Sequence, residues 1–203
     1  MRSMTTLMRL GSLAAIVSAL LAFLSFVLYL VIVGGSRISE AATSAAFFLP
    51  SGAQLLALAL LLLGLVTLFA RQVEVFGALG LTGFVLALLG TVLAAGAAWS
   101  QVFVVPHLAE VAPAVADQGA GSVLAGFMLS YLLFGVGWLL FGVATLRTQT
   151  FPRWAIILLI VGAAIAILPL PSRALIVQLA VGYLGLTLLR GRGTSEQQPS
   201  RAS

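Results

Sequence analysis

Of the 203 residues, 62% are hydrophobic and only 7% are charged, whereas a soluble domain carries about 25% charged residues. Lipid is therefore the predicted solvent for most of the surface. The net charge of +5 comes from arginines spread along the chain without a cluster, which argues against nucleic-acid binding. The absence of cysteine excludes disulfides and cysteine-ligated metals. Arginine without any lysine is typical of a GC-rich bacterial genome.

Apolar runs predict an all-α, polytopic membrane helix bundle with six transmembrane helices in one domain, residues 1–190. A span needs roughly 20 apolar residues, and the runs that reach or approach this length are residues 11–33, 51–70, 75–98, 122–146, 154–168 and 173–189. The first run is longer than a signal-peptide core and lacks a cleavage site, so we expect a retained anchor. The last two runs are short, and a re-entrant hairpin is an alternative for them. The polar tail, residues 191–203, is predicted to be disordered and cytoplasmic.

The positions of the arginines predict that both termini are cytoplasmic. Positive residues collect on the cytoplasmic side of short loops. With the N-terminus inside, only Arg37 and Arg173 of the ten positive residues lie outside. The predicted location is therefore a bacterial plasma (inner) membrane, with residues 99–121 as an outer interfacial loop.

The second span begins with a local motif. Ser51 and Gln54 match the S-x-x-Q pattern of a capping box, in which both side chains bond free backbone N–H groups of the first helical turn. Gln54 is therefore interpreted as a helix cap, not as a ligand-binding amide.

The outer loop is the one long interruption of the apolar pattern. It holds the only histidine and two of the five acidic residues, namely His107, Glu110 and Asp117. Their spacing places them on one face of an amphipathic interfacial helix. Pro106 suits a helix start and Pro113 interrupts the run, so we expect two short helices. The simpler interpretation is a solvated loop, and the alternative is a lid above a cavity.

Polar residues in the outer halves of the helices suggest what such a lid would cover. Thr91, Tyr131 and Gln178 lie at this depth, where an amide or phenol needs a hydrogen-bond partner. Mutual bonding between helices is the simpler interpretation. The alternative is an outer pocket that consists of Trp99, Gln101, His107, Glu110, Tyr131 and Gln178. Trp138 and Tyr183, nearer mid-membrane, are interpreted as packing residues whose polar groups are satisfied.

Small residues recur at helical spacing in the third and fourth spans. They are Gly83, Ala87, Gly90 and Ala94, followed by Gly126, Ser130 and Gly137. Small side chains on one face let two helix backbones approach closely. We therefore expect these two helices to pack as a tight pair.

A weak internal similarity appears when the chain is shifted by 78 residues. Gly64 and Thr67 then align with Gly142 and Thr145, together with several leucines, and Phe76 aligns with Trp154. The similarity suggests a duplicated helix hairpin related by an axis along the membrane normal.

Residues able to carry chemistry are scarce. The interiors of the spans contain no Asp, Glu, His, Lys or Arg, which argues against a proton pump or a charge-coupled transporter. One histidine cannot supply paired haem ligands, and a catalytic zinc needs three protein ligands. Walker-type and G-x-S-x-G motifs are absent. We therefore expect no catalytic residues, no metal and no cofactor.

Two segments, WSQVFVVPHLAEVAP and LRTQTFPRWAIILLIVGA, carry a family resemblance. They resemble corresponding parts of a family of uncharacterised small multi-pass bacterial membrane proteins, over residues 50–170. The resemblance implies a plasma-membrane protein whose domain has no assigned function. It supplies no catalytic residues.

The leading functional hypothesis is a non-enzymatic membrane protein of binding or scaffolding type. It would engage a partner subunit, a second copy of itself or a lipid-like ligand within the lipid bilayer, and no nucleic acid. The alternative is a transporter or permease component built on the duplicated hairpin. The third hypothesis is a lipid-modifying enzyme with His107 and Glu110 as acid and base.

Overall fold

The computed structural model describes residues 2–118, 121–168 and 172–196, and all regular structure in them is helical. The helices are α1 (Arg2–Ile32), α2 (Ile38–Ala42), α3 (Phe48–Ala70), α4 (Gly77–Phe103), α5 (Val105–Val111), α6 (Pro113–Gln118), α7 (Gly121–Thr148), α8 (Arg153–Ala166) and α9 (Leu175–Glu196), and a 3-10 turn, Ala45–Phe47, precedes α3. The predicted all-α class is confirmed for this part of the chain.

Helix length and composition support a membrane protein. Four stretches are long and apolar enough to cross a membrane, and they are Thr6–Ile32, Ala45–Ala70, Gly77–Phe103 and Pro113–Thr148. Arg153–Ala166 and Leu175–Arg190 are apolar but shorter. At about 1.5 Å per residue, the 14 residues of α8 extend only about 21 Å. The bundle therefore has four membrane-length helices, and the crossing of the last two stays a prediction.

The six longer helices form a closed ring in chain order. α1 packs on α3, α3 on α4, α4 on α7, α7 on α8, α8 on α9, and α9 returns to α1. Short connections favour such antiparallel neighbours. The interior is fully buried at residues such as Leu61, Trp138 and Leu159, whereas Leu20 and Val31 on the outside are 65% and 77% exposed. Large exposed apolar side chains around a buried core fit a lipid-facing surface.

The contact between α4 and α7 is the most extensive of the helix pairs. A Cβ atom added to Gly83 would lie 2.6 Å from the backbone nitrogen of Phe141. A Cβ on Gly90 would overlap the backbone of Phe134, and one on Gly137 would overlap that of Ala87. Ala94 is also buried, and Ser130 donates a hydrogen bond to the Gly126 carbonyl. A Cβ on Gly126 would meet nothing within 4 Å, so this glycine lies away from the contact.

The two helix pairs that the 78-residue shift aligns, α3–α4 and α7–α8, differ in their packing. α4 packs most extensively on α7, whereas α8 packs chiefly on α7 and α9. The aligned glycines also differ, because Gly64 faces Ala15 of α1 while Gly142 faces Ile160 of α8.

Two connections fold together over one end of the ring, and we call residues 33–47 and 104–118 the cap. Their apolar core contains Val33, Ala41, Ala42, Phe47, Val105 and Ala109. The Asp117 carboxylate accepts hydrogen bonds from the backbone N–H and the hydroxyl of Ser39, at 2.8 and 2.9 Å. Ser39 lies in the first turn of α2, whose N–H groups lack partners within the helix. Asp117 therefore joins the two halves of the cap.

The structure gives the bounds of the short helices in the outer loop, the start of α3 and the end of α9. The helix pieces expected at Pro106 and Pro113 are present as α5 and α6. The capping box is wrong, because α3 begins at Phe48, ahead of Ser51, without a side-chain cap. α9 continues into the predicted tail as far as Glu196, and residues 197–203 lie outside the described residues.

Candidate functional site

A cavity of about 240 Å³ lies among the helix ends beneath the cap, and we call it the cap-end cavity. Its walls come from α1, α3, α4, α7 and the turn before α9, through Tyr29, Gln54, Gln101, Tyr131 and Arg173 among others. Ile38 and Phe47 of the cap also line it. This end of the helix ring therefore holds a partly polar cavity.

Arg173 is the charged residue among the side chains that line this cavity. Its guanidinium carbon lies 4.4 Å from the centroid of the Tyr131 ring, which is a cation–π contact. Partial burial lowers the pKa of the Arg173 guanidinium, but an arginine stays charged at neutral pH. Ser172, just before it, adopts a left-handed φ of 51°. A tight turn and an aromatic ring thus fix a positive charge at the cavity wall.

Two glutamine side chains meet next to the cavity. Gln54 Nε2 donates a hydrogen bond to Gln178 Oε1 at 3.3 Å, and Gln178 is fully buried. The Gln178 Nε2 group has no hydrogen-bond partner within the described part of the chain. Leaving such a buried donor unsatisfied costs about 1–3 kcal/mol. One helical turn further along, Leu58 and Val181 are fully buried, so the amide pair lies between the cavity and an apolar core.

The structure brings together part of the predicted pocket. Gln101 and Tyr131 line the cavity, and Gln178 adjoins it through Gln54. Trp99 is 51% exposed, and its ring packs 5.3 Å from that of Phe103.

His107 and Glu110 are exposed on α5 and lie outside the lining. The reason is helical phase, because α5 buries Val105 and Ala109 against α2. His107 and Glu110 therefore face away from the cap core. The cap residues that line the cavity are Ile38 and Phe47, which come from the first connection and were not singled out from the sequence.

Thr91 takes no part in the cavity. Its hydroxyl accepts a hydrogen bond from Trp138 Nε1 at 3.0 Å and donates to the Ala87 carbonyl at 2.6 Å. The simpler interpretation of Thr91, bonding between helices, is confirmed. The same contact satisfies the indole of Trp138 as expected, and the Tyr183 ring packs 4.3 Å from Trp154.

A second amide cluster lies at the opposite end of the ring, where α3 ends beside α7. Gln72 Nε2 donates to the Leu68 carbonyl at 3.1 Å and to Thr145 Oγ1 at 3.4 Å. Gln72 Oε1 accepts from the Thr148 hydroxyl at 2.8 Å. Both ends of this buried amide are satisfied, so the cluster joins two helices.

Sequence reasoning missed Arg173, Gln54 and Gln72 as working residues. From the sequence, Arg173 was used only to predict topology. Its contact with Tyr131 joins residues 42 positions apart in different helices, and no local sequence pattern indicates such a contact. A buried amide in an apolar run is the one signal that was available, since such groups need partners.

The chemistry that this arrangement offers is one positive charge, several hydrogen-bond donors and aromatic faces. No three His, Cys, Asp or Glu side chains come together as a metal site in the residues that the structure describes. Comparison of the chain with protein-family models, with curated proteins and with solved structures gives no match.

Proposed function

We propose that this chain is a non-enzymatic, multi-pass membrane protein that binds a small ligand, or the headgroup of a lipid-like ligand, in the cap-end cavity. The cavity itself carries the proposal, since it combines amide, phenol and guanidinium groups inside an apolar bundle. Its volume of about 240 Å³ is below the roughly 300–1,000 Å³ of sites for drug-sized molecules. A headgroup or a small molecule therefore fits better than a whole lipid.

The glycines of α4 and α7 favour a small ligand over a partner subunit. Gly83, Gly90 and Gly137 are used within the chain, in the contact between α4 and α7. They are therefore not available to a second protein. The exposed apolar residues that surround the ring need only lipid.

The residues around the cavity favour binding over transport or catalysis. Beyond the Gln54–Gln178 pair, Leu58 and Val181 are fully buried, which favours a closed site over a path through the bundle. His107 and Glu110, the candidate acid and base, lie outside the lining. A cavity that adjoins a buried apolar core, with no acid–base pair among its described lining residues, suits binding.

The membrane arrangement belongs to the same proposal. Six crossings with both termini in the cytoplasm place the cap on the outer face of a bacterial plasma membrane. Support comes from the six helices that follow one another around the ring, and from the excess of arginine at the other loops and termini. Accessibility of a cysteine placed at Glu110 to a membrane-impermeant reagent in intact cells tests this orientation.

The binding proposal is tested by filling the cavity. Ala97 lines it, whereas Ala125 is exposed on α7. The full chain is purified in mild detergent, and molecules that stay bound are measured by native mass spectrometry. We expect Ala97→Phe to lose the bound species and Ala125→Phe to retain it. Equal occupancy in both variants, or no bound species in the unchanged chain, contradicts the proposal.

A further inference from the structure

The charges around the cap-end cavity have one sign. Arg173 lines it, and no Asp or Glu is among the residues that the structure places in its lining. The guanidinium is held against Tyr131 at 4.4 Å. An arginine fixed in this way matches an oxyanion, because its planar N–H groups suit carboxylate and phosphate oxygens. A cationic ligand group finds no carboxylate there to neutralise it.

The start of α9 adds to this positive potential. Ala174, which directly precedes α9, lines the cavity beside Arg173. The N-terminal end of a helix carries free N–H groups and a partial positive charge that favour anions. One long helix therefore directs its positive end to the wall that holds Arg173.

The uncharged polar groups can serve an anion as well. Gln54 and Gln101 bring amides to the cavity, and Gln178, bonded to Gln54, has a fully buried Nε2 group with no partner among the described residues. Amide N–H groups donate hydrogen bonds to an acceptor on a ligand. The positive charge and the start of α9 thus favour an anionic ligand, and the amides supply donors for it.

We infer that, given the proposed binding function, the ligand of the cap-end cavity carries a net-negative oxyanion group, which Arg173 binds. The source of that group is an anionic lipid headgroup or a free oxyanion such as phosphate. Both have the same chemistry, and the volume of about 240 Å³ accepts either. Aromatic side chains in the lining, such as Tyr29 and Phe127, contact the apolar part next to the charge.

The test compares two lipids with identical acyl chains, anionic phosphatidylglycerol and zwitterionic phosphatidylcholine, titrated into the detergent-purified full chain and followed by native mass spectrometry. We expect the chain to bind phosphatidylglycerol about tenfold more tightly, the effect of one charge-assisted contact. Arg173→Gln should abolish that preference and Arg173→Lys should keep most of it. Arg37→Gln is the matched control, because Arg37 is exposed on the cap.

Inorganic phosphate added as a competitor separates the two sources. Displacement of phosphatidylglycerol by phosphate identifies a free oxyanion as sufficient, and lack of displacement identifies a lipid headgroup. Equal affinity for the two lipids overturns the inference, and so does a loss in Arg37→Gln as large as that in Arg173→Gln. If Arg173→Gln does not fold, the lipid preference of the unchanged chain and of Arg173→Lys decides. If both lipids bind equally and Ala97→Phe still abolishes binding, the binding function stands and only the anion is wrong.

Discussion

Each end of the bundle buries a glutamine side chain, but the two side chains differ in how fully they are hydrogen-bonded. At the opposite end, Gln72 is 1% exposed, its amide nitrogen donates to the Leu68 carbonyl of α3 and to Thr145 of α7, and its oxygen accepts from Thr148 of α7. At the cap end, Gln178 is equally buried, yet its Nε2 group has no partner among the described residues.

The difference separates a structural amide from one that is available for a ligand. A satisfied buried network stabilises the contact between the helices that it joins, whereas an unsatisfied donor lowers stability in the absence of a ligand. The satisfied amide, just after the end of α3, bonds to Thr145 and Thr148 of α7, and the unsatisfied one adjoins the cavity through Gln54. Variants that remove one amide at a time test this contrast. A variant that separates two packed helices shows how large a loss in the free energy of unfolding can be.

The largest effect is expected for Gly90→Leu, at the contact between α4 and α7. A side chain there overlaps the backbone of Phe134, so the two helices must separate. We expect a loss of more than about 3 kcal/mol in the free energy of unfolding, comparable with severe core overpacking. Denaturant titration in detergent measures it. Gly96→Leu is the control, because nothing lies within 4 Å of a Cβ at Gly96, and an equal loss there contradicts the packing argument.

Gln72→Leu should have the next largest effect. The change removes the hydrogen bonds to Thr145 and Thr148, and leaves the buried Thr145 hydroxyl and the half-buried Thr148 hydroxyl with fewer partners. We expect a loss of about 1–3 kcal/mol in the free energy of unfolding. Occupancy of the cap-end cavity, measured by native mass spectrometry, should not change. A variant that loses the bound species but keeps its stability would reverse the roles assigned to the two ends.

Asp117→Asn tests the cap that covers the cavity. The substitution removes the negative charge and one of the two acceptor oxygens that hold Ser39. A capping interaction of this kind contributes about 1 kcal/mol. We expect faster hydrogen exchange at residues 38–42, with little change in the core helices. Glu110→Gln is the matched control, because Glu110 is exposed, and equal protection in both variants contradicts the role of Asp117.

The parts of the fold that sequence predicted are those set by local pattern. Long apolar runs gave the membrane-length helices, and Pro106 and Pro113 gave the two short ones. The failures come from contacts distant in sequence. Gln54 matched a capping motif four residues long, but its partner Gln178 lies 124 residues away. The sequence pattern within α3 does not indicate that α9, which carries Gln178, packs beside it.

The candidate site was predicted in part for the same reason. The depth of a polar residue along its helix can be counted, which gave Tyr131 and Gln178 at the cavity and Thr91, which bonds to Trp138 instead. Which face of α5 turns inward depends on its packing against α2, and this placed Ile38 and Phe47 over the cavity instead of His107 and Glu110. The sequence therefore indicated which end of the bundle holds the cavity, whereas helix packing determines which cap residues line it.

Gln178→Leu should have the smallest effect on stability and the clearest effect on binding. The substitution removes a buried donor that already has no partner and also the acceptor that Gln54 uses. Because these two terms oppose one another, we expect the free energy of unfolding to change by less than about 1 kcal/mol. Occupancy of the cap-end cavity should fall, since Gln54 loses the contact that orients it. Gln72→Leu, measured in parallel, supplies the control, and a stability loss in Gln178→Leu as large as that in Gln72→Leu would show that both amides serve only to join helices.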